Sequence, residues 1–222
     1  MSASPQDLMT AKLFFNAAFP TMQVLLDDDP KLHKKFQNFN ATVQFGAMND
    51  GELLCCHLIF QNGNLTVVQG PAEKSDISLT FSSVEKMNSL LKGGLSLPSI
   101  KGNLSLLPNV LSILMGLKIM TKPNDKLKTD TEKLLKVKCS LYMITRALSQ
   151  YNKLGDPDMQ EFCRRQPDRI YQFQVEHDGQ PDYIACYLRV KAGQSKSGHG
   201  VYPRRSPFVL FRFLSVEGAL KV

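Results

Sequence analysis

The sequence predicts an α+β fold in which an antiparallel sheet meander is covered by helices and the whole unit is duplicated. Three observations lead there. Between residues 40 and 81 apolar positions recur with period two and are broken by hairpin-type turns. Residues 82–120 then hold a short capped helix, a glycine stop and an almost uncharged second helix. Finally, the strand motifs recur in order about 130 residues further on.

Taken in order, Asp7 is read as the cap of a first helix, with Leu8, Leu13, Phe14, Ala17 and Ala18 as an imperfect apolar stripe that Pro20 interrupts. A second helical piece, 22–26, ends in Asp27, Asp28, Asp29 and Pro30, which lack the spacing of a calcium loop. Residues 30–39 form a short basic helix. Strands follow at 41–45, 53–60, 65–69 and 77–81, separated by Asn49-Asp50-Gly51, by Gln61-Asn62-Gly63-Asn64 and by residues 71–76. Adjacent strands joined this way form a four-stranded antiparallel meander. Ser82 and Glu85 have the form of a capping box, Val84, Met87 and Leu91 share one helical face, and Gly93-Gly94 ends the helix. Ser105 is the expected cap of the second helix, with Pro108 in its tolerated first turn and Leu107, Val110, Leu111, Leu114 and Leu117 at helical spacing. Leu106, Ile113, Met115 and Ile119 occupy most of the other side. They leave a thin stripe of Ser105, Asn109, Ser112 and Gly116, with no charge between Lys101 and Lys118. A helix apolar nearly all round must be covered by protein, by a partner or by a bound apolar molecule. After a break at 121–125, Thr129 to Glu132 open a long helix that runs to about Tyr151, and a short helix at 159–165 leads into strands again.

The repeat is read from spacing. Gln172-Phe173 precede Asp178-Gly179 as Gln44-Phe45 precede Asp50-Gly51; Cys186, Leu188 and Gly193 follow the pattern of Cys56, Leu58 and Gly63; residues 213–220 parallel 81–88. The second copy has no counterpart of residues 93–120. The expected division is therefore 1–120 and 121–222, the latter a long helix plus a partial copy.

At 222 residues and 43% apolar content the chain has enough material for a sizeable core. Its net charge of +7 arises entirely after residue 120: the first segment has nine basic and nine acidic residues, the second eighteen and eleven. Solvated lysines on helices are the ordinary source of such an excess. Five cysteines without CxxC spacing fit a reducing compartment. No secretory signal is visible at the start, and the apolar run 104–120 falls short of the roughly 20 residues that span a bilayer. A soluble, cytoplasmic protein is expected.

The run Ile77-Ser78-Leu79-Thr80-Phe81-Ser82 into a helix, then Leu90-Leu91-Lys92-Gly93-Gly94-Leu95, then Ile100-Lys101-Gly102-Asn103 before the apolar helix, resembles the sterol carrier protein type 2 family. The resemblance covers residues 10–120 and, more faintly, 160–222. It implies a five-stranded α+β sterol-carrier-protein-like fold with an apolar tunnel for fatty acyl chains, acyl-CoA or sterols.

Catalytic chemistry finds little support. The four histidines lack metal-ligand spacing, no metal site or cofactor is expected, and Cys56 and His57 point apart as strand neighbours. The expected activity is non-enzymatic binding, with transfer as its extension, of an apolar lipid such as a fatty acyl chain or sterol-like molecule in a cavity between sheet and helices. Phe45, Leu54, Leu58, Phe60, Leu107, Leu111, Leu114 and Met115 are the candidate lining; alternatively the same side chains fill a core and the apolar helix is a dimer or partner interface. Lys196, Arg204 and Arg205 lie in a basic hairpin segment and are the candidate anion-binding groups, for an acidic head group or anionic membrane surface. Aromatic interleaving there is too sparse to favour nucleic acid.

Overall fold

The computed structural model describes residues 2–221; the end residues 1 and 222 of the two expected segments lie outside it. The chain divides into two compact units, Met1–Lys118 and Ile119–Val222. Each has its own sheet and its own helices, so the class is α+β.

The first unit begins with α1 (Pro5–Leu13), a π turn (Phe14–Ala18) and α2 (Phe19–Asp28) in one helical path. Ser4 rather than Asp7 caps α1, its Oγ accepting from the Asp7 N–H at 3.1 Å. Pro20 does not interrupt the path. The π turn lets Phe19 N–H reach the Phe14 carbonyl, five residues back, and delivers Pro20 to the first turn of α2, where a missing donor is harmless. The aspartate cluster ends α2, and Asp29 caps α3 (Pro30–Phe36) by accepting from Lys31 N–H at 2.8 Å and Leu32 N–H at 3.1 Å.

Strands β1 (Asn40–Asn49), β2 (Glu52–Gln61) and β3 (Asn64–Gln69) pair antiparallel. Both hairpins turn on two residues at positive φ, Asp50-Gly51 and Asn62-Gly63, the geometry that matches strand twist. The meander expectation needs correcting at β4 (Ile77–Phe81), which pairs parallel with β1, placing Phe45 beside Leu79. With β5 (Ser99–Gly102) the sheet order becomes β3-β2-β1-β4-β5. Hydrogen bonds along the 70–76 connection explain the crossing. Gly70 N–H donates to Cys55 O (2.9 Å), Ala72 N–H to Gln44 Oε1 (3.1 Å) and Asp76 N–H to Thr42 O (2.8 Å), so the chain is satisfied only while passing over β2 and β1.

One face of this sheet is the core. Phe45 meets Phe19 edge-on at 5.2 Å and Phe81 at 5.4 Å, while Phe60 meets Phe36 at 5.2 Å and Phe39 at 5.5 Å. Helix α4 (Val84–Leu91) closes the end near β1 and buries Val84 and Met87. Its cap is Ser83, one residue beyond the expected Ser82.

The second unit contains α6 (Asp130–Lys153), capped by Thr129, α7 (Pro157–Arg165), capped by Asp156, and the sheet β6 (Asp168–His177), β7 (Gln180–Lys191), β8 (Gln194–His199) and β9 (Val209–Phe213), ending in α8 (Val216–Ala219). The last α-helix of the first unit is α5 (Leu107–Gly116). The second sheet has order β8-β7-β6-β9, again with its last strand parallel to its first. The correspondence holds in register. Phe173 lies opposite Cys186 as Phe45 lies opposite Cys56, and Ser215 caps α8 as Ser83 caps α4. Gln172 repeats the anchoring role of Gln44: its Oε1 accepts from Tyr202 N–H at 2.9 Å and its Nε2 donates to Cys186 O at 2.9 Å and Gly200 O at 3.2 Å.

Candidate functional site

The site is built around α5. Asn103, not Ser105, starts this stretch: its Oδ1 accepts from Ser105 N–H at 3.1 Å and Ser105 Oγ at 2.7 Å, which winds Leu104–Leu106 into a 3-10 turn before the α-helix proper. Helix α5 then packs on α2 and α3. Val110 and Ile113 are fully buried. Gly116 allows the close approach, because a Cβ there would lie 2.9 Å from Leu25 Cδ1 and 3.1 Å from Leu32 Cδ1. Lys35 of α3 donates from Nζ to Pro108 O at 3.0 Å and to Ser112 Oγ at 2.9 Å.

These contacts turn the helix opposite to ordinary amphipathic practice. The small polar residues Asn109, Ser112 and Gly116 are half-buried, whereas Leu104, Leu111 and Met115 are 61%, 46% and 55% exposed. The covering that so apolar a helix demands is missing from this side. Contrary to the expectation that this run is too short, the stretch Leu104–Thr121 is by length and composition apolar enough to cross a membrane, yet only 11% of it is buried.

The eight candidate lining residues divide accordingly. Phe45, Leu58 and Phe60 are buried, with Phe45 and Phe60 held among the aromatic rings of the core. Leu54 is half-buried on β2 opposite Ala47, and Leu107 and Leu114 are half-buried on α5. Leu111 and Met115 face solvent rather than the sheet. The separation has a simple cause: α2 and α3 supply Phe19 and Phe36 to the sheet, and α5 lies on those helices.

The basic segment of the second unit also divides. Arg205 is engaged with Asp168, 2.6 Å from its Oδ1 and donating to its backbone carbonyl at 2.7 Å. Asp168 also accepts two hydrogen bonds from Arg189, at 2.9 and 2.8 Å; chiefly through them its carboxyl is held down at about 2. Arg205 is thus part of a structural ion pair, a correction to its expected anion role. Lys196, opposite Arg189 across β7 and β8, and Arg204 are exposed and have no ion-pair partner among the described residues.

Sequence reasoning missed two features here. The first is an aromatic face in the second unit. Phe173 and Phe211 stack at 4.7 Å with Phe211 43% exposed, although their counterparts Phe45 and Leu79 are buried. Tyr171 links Phe162 and Phe208 at 5.8 and 6.1 Å, and the Arg169 guanidinium lies 4.1 Å over the Phe208 ring. The repeat itself was the available signal, since a copy lacking a counterpart of residues 93–120 also lacks its cover. The second is Arg146 on α6, whose pKa burial lowers. It contributes to a lowered His199 pKa, for which burial is the larger cause, and His199 stacks on Tyr142 at 3.9 Å.

The remaining titratable groups are dispersed. His33 Nδ1 donates to Leu26 O at 2.9 Å and His57 Nδ1 to Gly70 O at 3.0 Å, each on its own element. Cys56 is buried on the helix-covered face, which pushes its thiol far above the usual range, while His57 is on the other. Among the described residues no three His, Cys, Asp or Glu side chains converge to hold a metal ion.

No family model matches the sequence, and no curated protein matches it. Among solved structures, the chain is similar to the solution structure of the sterol carrier protein domain 2 of Helicoverpa armigera. The match has 18% identity and a TM-score of 0.36, and covers 58% of this chain and 98% of that one.

Proposed function

We propose that this protein is a non-enzymatic binder of an apolar lipid, of the fatty acyl or sterol-like class, held by the first unit at α5 and acting in the cytoplasm. The observation that carries this reading is the helix itself: ten residues without a charge, of which only Val110 and Ile113 are buried. Apolar surface left in water is unfavourable by roughly 25 cal/mol per Å², and a lipid chain lying against the half-buried Leu107 and Leu114 removes part of it. Elsewhere in the first unit, Ile100, on the side of β5 beside Leu79, and Leu91 at the end of α4 are also only half-buried.

The test is native mass spectrometry of the protein purified from cells, followed by organic extraction and lipid analysis. A stoichiometric acyl or sterol-like mass is the expected result. A ligand-free chain that also fails to take up fluorescent fatty acid would refute it. A second reading, an interaction protein, draws on the uncovered Phe173–Phe211 pair of the other unit. A mass that doubles with concentration, and returns to that of one chain when Phe211 is replaced by Ser, would favour it.

A further inference from the structure

We propose that the outward stripe of α5, together with the loop before β5, is a docking surface for an anionic lipid bilayer, on which the helix lies in the plane of the interface. Three observations converge on it. The solvent-facing line of the helix is Leu104, Pro108, Leu111 and Met115, where an ordinary surface helix carries charges. Leu95 and Leu97, between Gly94 and Pro98, are almost completely exposed, so five large apolar side chains within 21 residues face water.

Charge supplies the third observation and selects the occupant. From Lys86 to Asn124 the chain has no acidic residue but five lysines, of which Lys86, Lys92, Lys101 and Lys118 are exposed. Lys35 adds a cation held against α5 itself. Asp27, Asp28 and Asp29 belong to the end of α2, whose Leu25 packs beneath α5 at Gly116. An uncharged apolar stripe in a segment whose charges are all lysines, with the three aspartates confined to its α2 side, complements a negative membrane surface, where leucines enter the acyl boundary and lysines meet the head groups. The helix lies on the bilayer rather than crossing it, because Val110, Ile113, Gly116 and the Lys35 hydrogen bonds hold its other side to α2 and α3.

This docking goes beyond cargo binding and is read independently of it, since sedimentation with vesicles reports it whether or not the purified protein carries lipid. The full chain is centrifuged with vesicles of phosphatidylcholine alone or mixed with phosphatidylserine. Binding to the mixed vesicles that weakens with salt is expected. The double variant Leu111→Ser, Met115→Ser lowers it by about tenfold or more, and Lys92→Ala, Lys101→Ala lowers it by about thirtyfold on anionic vesicles alone. The substituted side chains are outward-facing, and circular dichroism checks that the variants remain folded. The chain has no tryptophan, so Leu111→Trp gives a single reporter, whose emission brominated acyl chains should quench. Four results would overturn the proposal: no sedimentation with either vesicle, unchanged sedimentation of the serine variant, an unquenched Trp, or resistance to alkaline extraction. So would a doubled mass that the serine variant abolishes, which would make a second copy of the chain the occupant.

Discussion

Truncating two neighbours on α5 tests the orientation on which both proposals stand. Ile113 is fully buried, so Ile113→Ala removes three carbons from a closed site and leaves a cavity; such changes destabilise by about 2–4 kcal/mol. Leu111 is 46% exposed. Its side chain recovers only part of the roughly 1.5–3 kcal/mol that complete burial provides, and alanine there leaves no cavity and favours the helix. The net cost of Leu111→Ala is about 0.5–1 kcal/mol, so the two variants should differ by about 2 kcal/mol. Urea unfolding followed by circular dichroism measures this as a shift in midpoint at constant slope, with delipidated protein used throughout so that a ligand does not stabilise one variant selectively. Equal losses at the two positions, or a larger loss at Leu111, would mean that the helix is turned the other way and that its leucines serve the core.

Three further expectations follow from the second unit and the cysteines. Gln172→Ala removes two donated hydrogen bonds and one accepted bond at a buried side chain, and should destabilise by about 2–3 kcal/mol in urea; Gln44→Ala, half-buried with one such bond, should cost about 1. Asp168 has its folded-state pKa depressed, so its ion pairs stabilise above the unfolded value of 3.8, and that contribution disappears as pH falls from there through about 2. Asp168→Asn should therefore be less stable than the parent at neutral pH, with the gap closing over that acid window in pH-dependent melts. Burial raises the thiols of Cys55, Cys56, Cys163 and Cys186, the last to about 12. Thiol reagent at about pH 8 should label these four only as the protein unfolds, and stoichiometric labelling of the native chain would contradict the burial.

Local chemistry was readable where it is self-contained. The Asp50-Gly51 and Asn62-Gly63 turns, the Thr129 cap and the strand alternation all follow from neighbours a few residues apart. Caps moved by one to three residues where candidates adjoin, as with Ser4 against Asp7 and Ser83 against Ser82. The parallel placement of β4 was not legible. A strand's own pattern does not say which edge it joins, and here the choice rests on Gln44 and Thr42 bonding to a loop some thirty residues later. Nor could periodicity orient α5: with leucines on every side, in and out are decided by Gly116 meeting Leu25 and by Lys35 reaching Pro108, contacts between distant residues. The same blindness merged buried Phe45 and exposed Met115 into one expected lining.

The two units have similar sheets and differ in what covers them. Their sheets agree in strand order, in the parallel closing strand, in the aromatic–cysteine pairing and in the glutamine that fastens the crossover. What differs is what lies on top. In the first unit α1 to α4 seal Phe45, Leu79 and Phe81 from water. In the second, α6 packs chiefly on β7 and β8, while β9 meets little beyond the four-residue α8, which leaves Phe211 exposed. A sheet tolerates this because its hydrogen bonds are made within the strands, whatever covers them, whereas apolar side chains respond to the cover alone. The difference between the units therefore lies in the helical layer. Each unit leaves apolar surface uncovered in that layer, at α5 in the first and over β6 and β9 in the second, and these surfaces rather than the similar strands set the two units apart.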